Sequence, residues 1–254
     1  MRWTGPFESA AVLTVLPVPP RSAASTRGVL RWAPLVGVLL GGTATGVAVV
    51  GTRWISPFAG AVLAMAVLAL LTRGLHLDGL ADTADGLGPL RDRERALEVM
   101  RSGDVGPFGV ATLVLTVLLQ VACAAALLAS DDGWLALLAA VVIARLAMVR
   151  TGLPGVGVAA GSSLGRAVAG TVPRVWLGGA VLLCAAGVAG AAALVATPAD
   201  ALRLLAAALV AVLAAELLYR RATARLGGIT GDVIGAMGEV ATTAYLVTAA
   251  AVWA

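Results

Sequence analysis

Three aspartates and the chain's one histidine share a short run, Gly74-Leu-His-Leu-Asp-Gly-Leu-Ala-Asp-Thr-Ala-Asp-Gly-Leu-Gly88. Asp78, Asp82 and Asp85 stand at i, i+4 and i+7, a spacing that puts all three on one stripe of a helix. Like charges so arranged repel, and a divalent cation among them relieves the repulsion. The plain alternative is a solvated polar face. It carries less weight here, because Leu75, Leu77, Leu80, Ala81, Ala84 and Leu87 surround the acids with apolar side chains. His76 precedes Asp78 by two residues. An isolated histidine is more often structural than catalytic, but its place at the acidic stripe makes it a candidate catalytic group.

Two further polar islands add to this chemistry. In Arg91–Gly109 the sequence predicts a short amphipathic helix ended by Gly103, then a Gly/Pro loop. Asp92, Glu94 and Glu98 have arginine neighbours and read as surface ion pairs. Asp104 lies between Gly103 and Gly106, where backbone N–H groups are open to a ligand, and is a candidate catalytic acid. In Arg225–Glu239, Gly227, Gly228 and Gly231 make a flexible approach to Thr230 and Asp232. Asp232 serves either as a helix N-cap or as a further catalytic acid. Carboxylates for a metal, arginines for phosphates and glycine loops for backbone contact are the equipment of phosphoryl transfer. We assign Arg73, Arg101, Gly106, Gly228, Thr230 and Gly231 to substrate binding, and Asp78, Asp82 and Asp85 to metal binding. The expected reaction class is a transfer on a diphosphate at a membrane surface.

The elements that must hold these residues are set by composition. Of 254 residues, 60% are hydrophobic and only 13% charged, and the mean hydropathy is +0.96. A soluble domain carries about 25% charged residues, so this chain belongs in a bilayer. Uncharged stretches approach the ~20 residues that cross a hydrocarbon core. They predict seven spans, near Trp32–Gly51, Pro57–Leu71, Phe108–Ser130, Trp134–Val149, Trp176–Ala196, Ala201–Tyr219 and Val233–Trp253. Nothing alternates with the period of a strand. The expected fold is all-α: a polytopic membrane helix bundle with about seven transmembrane helices and cytoplasmic catalytic loops. The whole chain, 1–254, reads as one integral-membrane transferase domain, with the acidic motif at 74–88, a loop at 89–107 and a second motif at 225–239. Phe7–Leu16 is too short to span and is expected at the interface or under the bundle. Pro17–Pro20 and the arginines after it exclude a secretory signal.

All 18 basic residues are arginine. Most fall in the segments before span one and after spans two, four and six, which share one side if each span crosses once. The positive-inside rule makes that side the cytoplasm. The arginines lack aromatic interleaving and any nucleic-acid motif, so nucleic acid is excluded as a partner. Cys123 and Cys184 lie within apolar spans and read as small core residues.

Three stretches together resemble the adenosylcobinamide-GDP ribazoletransferase (cobalamin 5′-phosphate synthase) family: Gly74–Gly86, Glu98–Gly109 and Leu226-Gly-Gly-Ile-Thr-Gly-Asp-Val-Ile-Gly-Ala236. Phe7–Pro19 and Pro34-Leu-Val-Gly37 also fit, so the similarity covers nearly the whole chain. The resemblance implies a Mg²⁺-dependent enzyme of the inner membrane with its site facing the cytoplasm. It would join adenosylcobinamide-GDP to α-ribazole, or its 5′-phosphate, and release GMP. At one place the chain departs from the pattern. Family members usually carry an aspartate directly after the basic residue that follows Met, where this chain has Ser102, and Asp104 is the acid two places later. Homo-oligomerisation is left open. The alternatives are a CDP-alcohol phosphotransferase-like phospholipid synthase, since Asp82-Thr-Ala-Asp85-Gly86 matches the start of that signature, and a membrane transporter with intramembrane acids.

Overall fold

A computed structural model describes residues 4–22, 25–195 and 197–253. Among the described residues the chain is helical apart from turns and one isolated bridge between Val158 and Ile229. A short helix α1 (Gly5–Leu13) leads to α2 (Ala33–Trp54) and α3 (Pro57–Leu71). The acidic run forms α4 (Leu75–Leu87), and the first polar island forms α5 (Arg93–Arg101). Then come α6 (Pro107–Leu128), α7 (Trp134–Val149), the short α8 (Ser163–Val168), α9 (Arg174–Val195), α10 (Pro198–Leu226) and α11 (Gly231–Trp253).

Six helices, α2, α6, α7, α9, α10 and α11, are long and apolar enough to cross a membrane. The seventh expected span is α3, whose 15 residues reach only about 22 Å. It passes the same test together with α4, yet the two are bent by 88°. The bend lies in two consecutive left-handed residues, Arg73 at φ 57° and Gly74 at φ 67°. Glycine adopts this conformation freely, whereas for arginine it is strained. The turn ends α3 and lays α4 across one end of the bundle, so the polar run leaves the hydrocarbon instead of continuing through it. The other expected spans are helical. The expected end of the fifth, Ala196, lies outside the described residues.

Small residues set how closely the helices approach. A Cβ on Gly37 would meet the Cα of Val142 at 3.1 Å, and one on Gly41 would meet the Leu138 carbonyl oxygen at 3.1 Å, so α2 lies directly on α7. Gly60 of α3 faces the backbone of Ala48 and Thr52 with no room for a side chain. Helix α7 is the most enclosed, walled by α2, α9, α10 and α11. Helix α1 is docked at the bundle end: buried Glu8 accepts from the Gly28 N–H (2.7 Å) and the Thr4 hydroxyl (2.8 Å), and Ser9 donates to the Val29 carbonyl (2.7 Å). Of the surface ion pairs expected around α5, Arg95–Glu98 forms at 2.6 Å. Asp92 instead caps the helix, accepting from the Arg95 N–H at 2.8 Å, because its place just before the helix gives it an unpaired donor.

Alternate crossings leave the bundle ends unequal. One end carries α1, α4, α5, the segment 150–173 and the turn 227–230, whereas the other carries the brief connections at 55–56 and 129–133. Gly60→Ala should therefore lower the detergent-solubilised protein's apparent melting temperature, because its methyl meets backbone. Gly46→Ala, which faces open space, should leave it unchanged or raise it slightly. Equal melting temperatures for the two variants would contradict the α2–α3 packing.

Candidate functional site

The three aspartates of α4 share a stripe but not an environment. Asp78 is exposed, Asp82 is half-buried and Asp85 is 3% exposed. Asp85 accepts from two backbone N–H groups at the start of α6, Gly106 at 2.7 Å and Gly109 at 3.0 Å. Those donors lack partners within their own helix, and a carboxylate at a helix N-terminus also meets the positive end of its dipole. A Cβ on either glycine would overlap the Asp85 carboxylate, which explains the glycines of Gly106-Pro-Phe-Gly109. Asp85 and Gly106 thus join α4 to α6.

Farther up the stripe α4 meets α11. The Cβ position of Gly79 lies 2.7 Å from the Asp232 carbonyl oxygen, so Asp78 and Asp82 flank the point where the second motif touches the first. Burial, and then the charges of Asp78, Asp232 and Asp85, push the Asp82 carboxyl up to about 7. The Thr230 hydroxyl accepts from the Val233 N–H at 3.1 Å and hydrogen-bonds the Asp232 carboxyl.

Beside this contact opens a cavity of ≈ 320 Å³, lined among others by His76, Arg101, Ser162, Thr230, Gly231 and Asp232. The 150–173 segment forms one wall. It is pinned by the bridge in which Ala159 N–H donates to Ile229 O (3.1 Å) and Ile229 N–H donates to Gly157 O (2.9 Å). Gly228 lies against the Val158 backbone, where a side chain would not fit. Arg101 donates to the Leu97 carbonyl (2.9 Å) and reaches the Gly161 backbone, which leaves the rest of its guanidinium for a ligand.

The structure thus brings His76, Arg101, Thr230, Gly231 and Asp232 to the cavity wall, with Asp78 and Asp82 at the contact beside it and Gly228 behind it against Val158. Asp85 and Gly106 are adjacent to it as an anchor. Arg73 sits in the α3–α4 turn with its guanidinium 3.4 Å from the Val12 carbonyl. Asp104 is exposed and makes no hydrogen bond or ion pair among the described residues. Among the described residues, no three His, Cys, Asp or Glu side chains stand as a ready metal cluster. The two-carboxylate contact still suits Mg²⁺, which commonly takes one or two carboxylates and completes its shell with water and substrate phosphates.

Two features lie beyond the sequence reading. Arg145, 2% exposed in α7, places Nη2 3.2 Å from Nδ1 of His76. Its signal is a lone charge within an otherwise apolar span. Ser162 and Ser163 line the cavity from a segment that reads as a connector and carries no comparable signal.

The model of the family described as cobalamin-5-phosphate synthase matches residues 7–250. The chain belongs to that family. It is similar to the adenosylcobinamide-GDP ribazoletransferase of Frankia casuarinae, 39% identical over 256 residues, covering 94% of this chain and 91% of the relative. The protein of the same name from Bradyrhizobium diazoefficiens is 36% identical over 259 residues, covering 96% and 92%. That of Nocardioides sp. is 37% identical over 248 residues, covering 96% of each. No solved structure matches. Family membership makes the chain a membrane transferase of cobalamin biosynthesis.

Two outcomes test the separate duties of the acids. Asp85→Asn removes a charged acceptor from two buried donors and should cost about 3 kcal/mol, seen as a lower apparent melting temperature. Asp82→Asn should cause no such loss. An unchanged Asp85→Asn melting temperature would contradict the anchor. Because the Asp82 carboxyl is raised when folded, the stability that its protonated form carries is complete below the ordinary carboxylate range and is lost as pH rises through about 7. Without divalent cation, the apparent melting temperature should fall from about pH 4 to about pH 7, and Asp82→Asn should flatten that fall. An identical fall in the variant would assign it to other groups.

Proposed function

We propose that the cavity binds the diphosphate of adenosylcobinamide-GDP and that the chain transfers its cobinamide phosphoryl group to α-ribazole or α-ribazole 5′-phosphate. A ribazole hydroxyl oxygen forms a bond to the phosphorus linked to cobinamide. The bond from that phosphorus to the GMP oxygen breaks, and the hydroxyl proton passes to a carboxylate. The observation that carries this reading is the meeting of Asp78 and Asp82 from α4 with Asp232 from α11 beside a cavity that also holds Arg101. These are the two motifs that the sequence singles out, joined at one point.

Each residue has a physical task. Arg101 holds non-bridging phosphate oxygens. The crowding of Asp78, Asp85 and Asp232 that raises the Asp82 carboxyl is what a bound cation would relieve. Thr230 and Gly231 line the cavity, where the glycine lets a phosphate approach. Asp78 and Asp82, with Asp232 beside them, would hold Mg²⁺, which supplies charge neutralisation on the transferring phosphorus and leaving oxygen. Asp85 aligns α4 without taking part in the transfer. Arginine placement supports a cytoplasmic site, because every segment lining the cavity lies at the arginine-rich end.

Purified protein in lipid, given adenosylcobinamide-GDP, α-ribazole and Mg²⁺, should release GMP and a cobamide. Asp82→Asn and Asp232→Asn should each lower the rate on the order of a hundredfold or more, and chelation should abolish it. Near-normal turnover in both variants would sink the assignment of the acids. Turnover only with CDP-diacylglycerol and an alcohol would identify the phospholipid-synthase alternative. For orientation, single cysteines at Leu90 and Asp131 are placed in a background lacking Cys123 and Cys184. A membrane-impermeant thiol reagent on intact cells should spare position 90 and label position 131. The reverse pattern would overturn the cytoplasmic site.

A further inference from the structure

His76 is enclosed at 2% exposure on the cavity wall, and one ring nitrogen faces a guanidinium: Nη2 of Arg145 lies 3.2 Å from Nδ1. A guanidinium has only donors to offer. The imidazole nitrogen opposite it must therefore be the acceptor, without a proton. A doubly protonated ring would set two cations against each other in a buried place, so the ring is neutral and its proton sits on Nε2. That nitrogen has no hydrogen-bond partner within the protein, and neither does Nε of Arg145. A buried N–H without a partner costs a few kcal/mol, which a ligand oxygen would recover.

A second layer stands behind Arg145, in which Glu239 of α11 is the acid whose charge acts on it. Glu239 is itself fixed by Gln120 of α6, whose Nε2 donates to the carboxylate at 2.9 Å and to the Thr243 hydroxyl at 3.0 Å. Four helices thus converge on the imidazole, with α4 carrying it, α7 the arginine, α11 the carboxylate and α6 the amide.

We propose that Arg145 is a positioning residue that locks His76 as the Nε2–H tautomer, and that His76 donates this hydrogen bond to an oxygen of the diphosphate substrate. The lone histidine is then a fixed donor and not the base that receives the ribazole proton, a duty left to the carboxylates. This assignment rests on the reading of the cavity as the diphosphate site.

Because the chain has one histidine, protein labelled with ¹⁵N-histidine in lipid nanodiscs gives a single pair of ring-nitrogen resonances. Wild type should show Nδ1 as an unprotonated acceptor and Nε2 as protonated. Arg145→Met, which keeps bulk without the donor, should give a mixture of tautomers, and Arg145→Lys should restore the wild-type pattern in part. If Arg145→Met does not fold, the wild-type spectrum still decides the tautomer. Adenosylcobinamide-GDP, its binding measured separately by retention with the nanodiscs, should move the Nε2 resonance more than Nδ1. A proton on Nδ1 in wild type, a tautomer unaffected by Arg145→Met, or an Nε2 resonance unmoved by bound adenosylcobinamide-GDP overturns the proposal. Failure of that compound to bind at all would instead strike the diphosphate reading, with the tautomer still readable.

Discussion

The contact between the Asp85 carboxylate and the two N–H groups that open α6 is the fixed point on which the site is built. Helix α4 packs on α6 and α11 through Leu80, Ala81 and Leu87, but apolar contact alone does not set its register. A single buried acid gives it a position, since the two glycine amides admit the carboxylate in only one place. With that end fixed, the length of α4 determines where its other acids fall. Gly79 then meets α11 without an intervening side chain, and Asp78 and Asp82 come beside Asp232. Loss of the anchor would let α4 slide, and Asp78 and Asp82 would no longer share one space with Asp232.

The fold was largely legible because a bilayer demands long apolar helices and leaves them plain in the sequence. The seven expected spans correspond to α2, α3, α6, α7, α9, α10 and α11. The site was legible in part. Spacing put the three acids on one stripe, but period alone is blind to what covers each end of that stripe. Only the tertiary fold distinguishes Asp85, capped by α6, from exposed Asp78. Arg145 carried a readable signal as a charge in hydrocarbon, yet its partner His76 is 69 residues away and no local pattern links them. Ser162 and Ser163 offered nothing, because a loop's role depends on what it folds over.

Electrostatics divides the bundle into two regimes. At its open end, carboxylates crowd together and their mutual repulsion is available to be relieved by a cation. Inside, Gln120 holds Glu239, whose charge acts on Arg145, and Arg145 meets an imidazole nitrogen. The first arrangement is reactive because it is incomplete. The second confers rigidity because its side chains from four helices are enclosed together, with Nε2 of His76 and Nε of Arg145 left without acceptors.

The unequal lengths of the helices also act on the surrounding lipid. Helix α10 has 29 residues and extends about 44 Å, whereas α3 stops after about 22 Å, on either side of a hydrocarbon layer of roughly 30 Å. Beside α3 the mismatch favours a thinner bilayer, while α10 overreaches the layer and holds the Arg91 carbonyl through Arg225 at 2.9 Å. A thinner layer there would set the acids of α4 nearer to water while the helices that anchor them stay in lipid.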